Sequence, residues 1–360
     1  MIITENDIHI LAIESSCDDT SAAVLHNRAV LSNVVANQEI HRQYGGVVPE
    51  LAGRDHQKNI VPVVDAALKK ANINLTQINA IAFTRGPGLL GSLLVGASFA
   101  KSLAQALAVP LIEVNHMQAH VLVHFIKSQK PRGEARGGEQ ASPSEVKSQK
   151  EQPEFPFICL TVSGGHTQLI KVNDHLSFEL LGETVDDAVG EAYDKGAKIL
   201  GLPYPGGPLI DKYAKEGNPK AFKFPLSNMP GFSYSFSGIK TALLYFIQNE
   251  TQKNPGFIAE NRADICASYQ WCLTEMLLKK LKLAIEQEGL TDIALAGGVS
   301  ANSLLRGRVK ELEKQGCRVF IPPMEYCTDN AAMVGIAGYF KYLKKDFARL
   351  NITPSAQYSL

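Results

Sequence analysis

The chain has 360 residues, room for two domains of ordinary size, and its 45% hydrophobic and 20% charged content is that of a globular protein. Lysine plus arginine equals aspartate plus glutamate at 36 each, which excludes a chain that grips nucleic acid by overall charge; such binding needs a local patch or a partner. The six cysteines form no C-x-x-C pair and read as reduced thiols of a cytosolic protein, Met1–Asp7 carries acid where a targeting peptide needs base, and no apolar run reaches the 18 or so residues of a membrane span.

Ile8–Ile13 is apolar and β-branched, a buried strand ending in the polar string Glu14–Ser15–Ser16–Cys17–Asp18–Asp19–Thr20. Ser21–Leu25 follows as its hairpin partner. Pro49–Glu50–Leu51 opens a long helix, with Leu51, Ile60, Val64 and Leu68 as its apolar positions. Ile78–Phe83 is a strand that runs into Gly86–Pro87–Gly88 and a helix of small residues to Leu107. Pro110–Val114 is another strand, delivering a helix that begins at Asn115–His116 and ends near Phe125.

The composition then changes. Between Lys127 and Glu154 the only apolar side chains are Ala135, Ala141 and Val146. Such a segment buries too little surface to offset its ordering entropy, so it reads as a disordered or loosely draped link at a domain boundary.

After it the pattern restarts. Phe157–Val162 is a strand, Ser163–Thr167 a turn, and Gln168–Val172 the return strand, mirroring the first hairpin. A helix spans Asp186–Leu200, another starts at Ser237, and the longest covers Arg262–Glu286. Ile293–Ala296 is a strand entering Gly297–Gly298, followed by a helix to Gln315; Arg318–Ile321 is the last strand and Asp329–Lys344 the closing helix. Two hairpins with polar turns, each opening a mixed α/β domain, suggest a duplication with a cleft between the halves.

Four features carry chemistry. His116 and His120, four apart on a helix, share a face and can grip one metal ion. No Glu follows the first His, so this is not H-E-x-x-H, and Asp329 is the best distant candidate for a third ligand. Ser163–Gly164–Gly165–His166–Thr167 is either an anion-binding nest or a tight hairpin turn. Gly297–Gly298 joins a strand end to a helix start, which suits a phosphate or nucleoside, with Asn302 able to bond a base or ribose; close helix–strand packing is the competing reading. In Asp186–Lys195, acids near a helix start offset the macrodipole, whereas Asp194 and Lys195 lie deeper, where bonding to a ribose competes.

Together these strings resemble one family. Glu14–Thr20, Gly46–His56, Gly86–Gly96, Asn115–His120, Ser163–Thr167, Asp186–Lys195, Tyr204–Pro208, Phe236–Thr241, Gly297–Asn302 and Cys327–Ala332 fall in the order of the TsaD family, whose members make threonylcarbamoyladenosine in tRNA. The resemblance runs from Ile10 to Phe340 and fits the bacterial branch, which has S-G-G-H-T where archaeal relatives tend to have S-G-G-N-T. It implies an actin/Hsp70-like (ASKHA) α/β fold with two duplicated domains around a nucleotide cleft. On that basis residues 1–126 with 331–360 form the first domain, 127–154 the link and 155–330 the second. It implies that His116, His120 and Asp329 hold one divalent metal, iron or zinc. It places threonylcarbamoyl-AMP against Thr161, Val162, Ser163, Gly164, Gly165, Asp194, Gly207, Asp211 and Asn302. It also implies that the acceptor is the anticodon-loop adenosine at position 37 of tRNAs reading codons that start with A, and that the partners are a TsaB-like paralogue and a TsaE-like ATPase. The chain departs from the family's pattern in a longer, more polar link and in Thr161, where some relatives place a tyrosine near the metal.

The mechanistic expectation is a transferase of the cytoplasm. Glu14, at a strand end, is the candidate general base, and Lys195 offsets developing charge. Arg54, Arg85, Lys240, Arg306 and Arg308 are candidate tRNA backbone contacts. The alternatives are a metallopeptidase, against which the missing H-E-x-x-H glutamate weighs, and a nucleotide-gated scaffold, which has no use for metal ligands.

Overall fold

The structure, a computed structural model, describes residues 7–127 and 152–360. The first half opens with β1 (His9–Glu14), β2 (Thr20–His26) and β3 (Ala29–Ala36), an antiparallel meander. There follow α1 (His41–Tyr44), α2 (Pro49–Ala71), β4 (Ala80–Gly86), α3 (Leu90–Leu107), β5 (Leu111–Asn115) and α4 (His116–Leu122). β4 lies parallel to β1 and β5 parallel to β4, giving the order β3-β2-β1-β4-β5.

The second half repeats this. β6 (Phe157–Val162), β7 (Thr167–Asp174) and β8 (Ser177–Glu183) form the meander. Then come α5 (Val189–Ile199), α6 (Gly207–Ala214), α7 (Ser237–Lys253), α8 (Phe257–Glu288), β9 (Asp292–Ala296), α9 (Ser303–Lys310), β10 (Arg318–Phe320) and α10 (Ala331–Leu343). The sheet order β8-β7-β6-β9-β10, with β9 parallel to β6, matches the first sheet strand for strand. The expected duplication is therefore present, and each hairpin is the start of a three-stranded meander. β3 is not among the strands expected from the sequence, and its Val30, Leu31, Val34 and Val35 are interrupted by Ser32 and Asn33.

Packing explains why the central strands read as unbroken apolar runs. β1, β2, β6 and β9 are covered on both faces. One core, with Ile60, Val64, Phe83 and Ala97, lies under α2 and α3. A second, with Leu160, Tyr269, Leu277 and Leu295, lies under α5–α9. The third joins the two sheets through α4 and α10, and brings Ile10, Ala12 and Ile112 into one cluster with Cys159, Ile170 and Ala294. α10 contacts β1, β2, β4 and β5, so the chain returns to the first sheet after completing the second. His124 adds a polar tie across the same seam, its Nε2 3.0 Å from the Leu295 carbonyl of β9.

Two expectations are corrected here. α3 does reach 18 residues at a mean hydropathy of 1.3, the length and composition of a membrane-crossing helix. Its leucines, Val95, Phe99 and alanines raise the average, but Ser92, Ser98, Lys101, Ser102 and Gln105 interrupt the apolar run, and the face with Leu93, Gly96, Ala97, Ala100 and Ala104 is buried on α2 and β4. Helix α5 begins at Val189, not Asp186, because tertiary bonds draw the two aspartates away from it. Asp186 accepts from the Ser235 and Ser237 hydroxyls and the Phe236 N–H, and Asp187 pairs with Lys195 and Lys240.

Most of the polar link, 128–151, lies outside the described residues. Its two ends are anchored: Lys127 N–H donates to the Arg28 carbonyl, and Glu154 N–H to the Asp292 carboxylate, which also takes two bonds from Arg318. All six cysteines are free thiols, as expected.

Candidate functional site

In both sheets the strand ends that carry polar turns point to one cleft, the usual ligand position outside the carboxyl ends of strands. The cleft is a cavity of about 1040 Å³. One wall is Ser16–Asp19 after β1 and Pro87–Leu89 after β4; the other is Ser163–His166 after β6 and Gly298–Asn302 after β9. Glycine is required at the base of that last turn. Gly297 has φ +85°, and a Cβ there would collide with the Val162 backbone.

At one end of the cavity the histidine helix meets the loop before α10. Asn115 caps α4, its Oδ1 accepting from the N–H groups of Met117 (2.9 Å) and Gln118 (3.2 Å), which fixes the first turn and therefore His116. The four-residue spacing sets the two imidazoles edge to face, 4.7 Å between centroids. Asp329 arrives from the other direction, held by two elements. Arg306 donates to the Ser300 and Pro322 carbonyls and fixes the preceding loop, while Asn330 caps α10. Asp329 Oδ1 then lies 3.2 Å from His120 Nε2 and 3.5 Å from His116 Nε2. The ligand atoms of all three residues fall within 4.8 Å of one another.

The electrostatics show what this cluster demands. Burial alone would lower the His116 pKa, but the Asp329 and Glu14 carboxylates raise it well above the usual imidazole value. His120 is lowered by burial, with the charge of His116 adding to that against the bond to Asp329. Burial pushes Asp329 up, and His116 and His120 outweigh it, holding the carboxyl well below its ordinary range. A positive charge is thus wanted between Glu14 and Asp329, and it resides on an imidazole. A divalent cation taken by the two Nε2 atoms and Oδ1 meets the same demand with both rings neutral. Two nitrogens and a carboxylate oxygen suit iron or zinc. The residues fit a metal.

Glu14 stands behind His116, not in the cleft. It is fully buried, and its oxygens are engaged by Ser16 N–H (2.5 Å), Thr84 Oγ1 (2.5 Å) and His116 Nδ1 (3.1 Å). Burial raises its pKa, but the His116 charge and bond prevail and the group stays ionised. This is the carboxylate–histidine arrangement that sets the tautomer of a metal-ligating ring. With no exposed surface and no place in the cavity lining, Glu14 is out of reach of an incoming amine, so the structure does not bring the expected general base to the cleft and leaves it against the His116 ring.

The remaining expected residues divide. Ser163, Gly164, Gly165, Asp194, Gly207, Asp211 and Asn302 all line the cavity. Asp194 Oδ1 accepts from Gly206 and Gly207 N–H, fastening the Tyr204–Pro208 loop into the wall. Asp211 takes the Ser303 hydroxyl and Gln270 amide, and Asn302 caps α9 while donating to Gln270. Thr161 and Val162 are fully buried in β6, behind the turn they support. Lys195 lies outside the cleft, bonded to Asp187 and Glu191 at 2.8 Å each. The candidate tRNA contacts are likewise engaged: Arg54 with Glu50, Arg85 with Glu113, Lys240 with Asp187, Arg308 with Glu275, and Arg306 with carbonyls. His41 and His56 find partners in Gln38 and Thr20.

The sequence reading missed several wall residues. Asp18 and Asp19 face the cavity, and burial beside Asp18 and Asp329 raises Asp19 to about 7. His166, pushed down to about 4 by burial and then by the two metal-site imidazoles, lines it too. So do Asn37–Glu39, on the loop after β3, and His41 and Arg42, at the start of α1. The signal for the acids was their place in the polar turn after β1.

A family model described as TsaD, tRNA N6-adenosine threonylcarbamoyltransferase, matches residues 29–134 and 142–336. A protein of that name from Christiangramia forsetii is 58% identical over 357 residues, spanning 99% of both chains. One from Cytophaga hutchinsonii is 55% identical over 348 residues, 96% of this chain and 95% of that one. Among solved structures, full-length HypF in its phosphate- and nucleotide-bound form aligns with 95% of this chain and 47% of its own, with a TM-score of 0.58 at 13% identity. That likeness concerns the fold alone, the duplicated α/β architecture of two five-stranded sheets.

Proposed function

This chain belongs to the TsaD family, the tRNA N6-adenosine threonylcarbamoyltransferases, and we propose that the cleft between its two sheets is where the transfer takes place. The enzyme moves a threonylcarbamoyl group to N6 of adenosine in tRNA, forming threonylcarbamoyladenosine. The observation that carries the site assignment is the convergence of His116 Nε2, His120 Nε2 and Asp329 Oδ1 at one end of a cavity whose walls are backbone-rich glycine turns.

The donor is threonylcarbamoyl-AMP and the acceptor the position-37 adenosine of tRNAs reading codons that start with A. N6 attacks the carbamoyl carbon, the bond to the phosphate oxygen breaks, AMP leaves, and the proton shed by N6 passes to the departing phosphate. That amine is a weak nucleophile because its lone pair is delocalised into the ring, so polarisation of the carbonyl and alignment matter most. His116, His120 and Asp329 hold the metal, iron or zinc, and Glu14 orients His116. When bound, the metal supplies Lewis-acid polarisation of carbamoyl and phosphate oxygens. Gly164, Gly165 and Gly298 offer backbone N–H groups to the AMP part, while the Ser163 N–H closes the turn on the His166 carbonyl. Asp194 holds the Gly206–Gly207 backbone in place on the opposite side. The anticodon-loop base is single-stranded and enters the cleft without melting a duplex.

With a neutral chain and the candidate contacts Arg54, Arg85, Lys240, Arg306 and Arg308 engaged with their own neighbours, the basic surface for tRNA comes from partners, a TsaB-like paralogue and a TsaE-like ATPase in the cytoplasm. The domain division at 1–126 with 331–360, and 155–330, belongs to the same proposal. A peptidase reading finds no H-E-x-x-H glutamate, and the carboxylate nearest His116, Glu14, is fully buried behind the ring. The test combines protein, partners, metal, threonylcarbamoyl-AMP and unmodified tRNA, with nucleosides read by mass spectrometry. Wild type yields the modified adenosine and His116→Ala does not; equal yields from both overturn the site.

A further inference from the structure

Resting on that reading of the metal site, we infer that Thr353–Leu360 is a strap that positions it, a part of the chain far in sequence from any ligand but Asp329. The strap runs along the β4–α3 turn and ends over the cap of the histidine helix. Ser355 N–H donates to the Arg85 carbonyl (3.0 Å) and Gly88 N–H to the Ala356 carbonyl (3.2 Å), so the strap is hydrogen-bonded to the backbone of a turn whose residues Pro87–Leu89 line the cleft. Gly86 permits the approach, since any Cβ there would overlap the Ser355 carbonyl. Arg85 reinforces it, with Nε on the Thr353 carbonyl (3.1 Å) and its guanidinium 4.5 Å from the centre of the Tyr358 ring.

The decisive contact is Asn115. Its Oδ1 caps α4, and its Nδ2 donates to the carbonyls of Ser359 (2.9 Å) and Tyr358 (3.3 Å). The strap therefore fixes which way that amide faces. The amide in turn fixes the first turn of a seven-residue helix that opens on His116 and carries His120. Without the strap the two N–H groups lose their acceptors, the amide is free to rotate, and the first turn loses its clamp. His116 must satisfy Glu14 with Nδ1 and the metal with Nε2 at once, which tolerates little drift. Partners outside the ligand set typically change metal affinity 10–100-fold. For a clamp one step further out, the expected loss is at the low end, about tenfold.

The test compares the full chain, a chain ending at Ile352, Gly86→Ala, and Gly86→Ala in the shortened chain. Zinc affinity is measured by competition with a chromogenic chelator, far below each protein's unfolding midpoint. Shortening is expected to weaken zinc about tenfold and to lower kcat more than it raises KM for tRNA. Gly86→Ala is expected to do the same in the full chain, by prising the strap away, and to add little once the strap is gone. Asn115→Asp, which keeps the capping acceptor but cannot donate to the strap, is expected to match the shortened chain. Zinc affinity within twofold of the full chain after shortening overturns the strap while leaving the metal site standing. A full chain that binds zinc no better than His116→Ala overturns the site reading and the strap with it.

Discussion

Glu14→Gln separates two roles that predict opposite behaviour. The glutamate is fully buried and accepts from Ser16 N–H, the Thr84 hydroxyl and His116 Nδ1. Glutamine keeps the shape and one acceptor oxygen, but its NH2 must face a group that was donating. Hydrogen bonds to a charged group are worth about 1.5–3 kcal/mol, and the bond to His116 also sets which ring nitrogen is free to ligate. A loss of roughly 1.4–2.7 kcal/mol at the metal corresponds to about 10–100-fold in metal affinity. The assay is a metal titration followed by transfer rates at rising metal concentration. As a positioning residue, Glu14→Gln binds metal weakly and regains most of its rate when metal is supplied in excess. A general base behaves otherwise: its removal costs ~10²–10⁴ in rate that no metal restores. Normal metal affinity with an unrescued rate would refute the positioning role.

Two further outcomes follow from single contacts. Gly190→Ala drives a Cβ to 2.5 Å from the Ser163 carbonyl and 2.9 Å from Gly164, so the Ser163–Gly165 turn must shift; overpacking of this kind costs about 1–3 kcal/mol. The expected result is a folded protein with weakened AMP affinity, and unchanged affinity by titration calorimetry would remove that turn from the donor site. His124, lowered to about 4 by burial against its bond to the Leu295 carbonyl, is neutral in the folded protein. Between pH 6.5 and 4 the unfolded chain takes up a proton that the folded one refuses. Its contribution is therefore complete above pH 6.5 and lost as the pH falls, by at most about 1.4 kcal/mol per unit. Urea unfolding at pH 7 and pH 5 checks this, and His124→Gln should flatten the difference; an equal slope in both proteins would contradict it.

The sequence by itself determined the parts of this protein that are local. Hydrophobic runs placed the strands, the repeated hairpin announced the duplication, and the spacing of His116 and His120 put two imidazoles on one face of a helix. The glycine turns were legible because a strand end that must meet a backbone or a ligand admits no Cβ, as at Gly297. What only the tertiary structure decided is which polar groups are spent on one another. Glu14 and Lys195 are the same residue types whether they face a substrate or a neighbour. Burial beside Thr84 and His116 in one case, and pairing with Asp187 and Glu191 in the other, removed both from the cleft. The same holds for Asp186, pulled off its helix by two serines, and for the strap, whose bonds to Asn115 cross more than 240 positions of sequence. Periodicity reports the environment along one element, whereas hydrogen-bond partners are settled when distant elements meet.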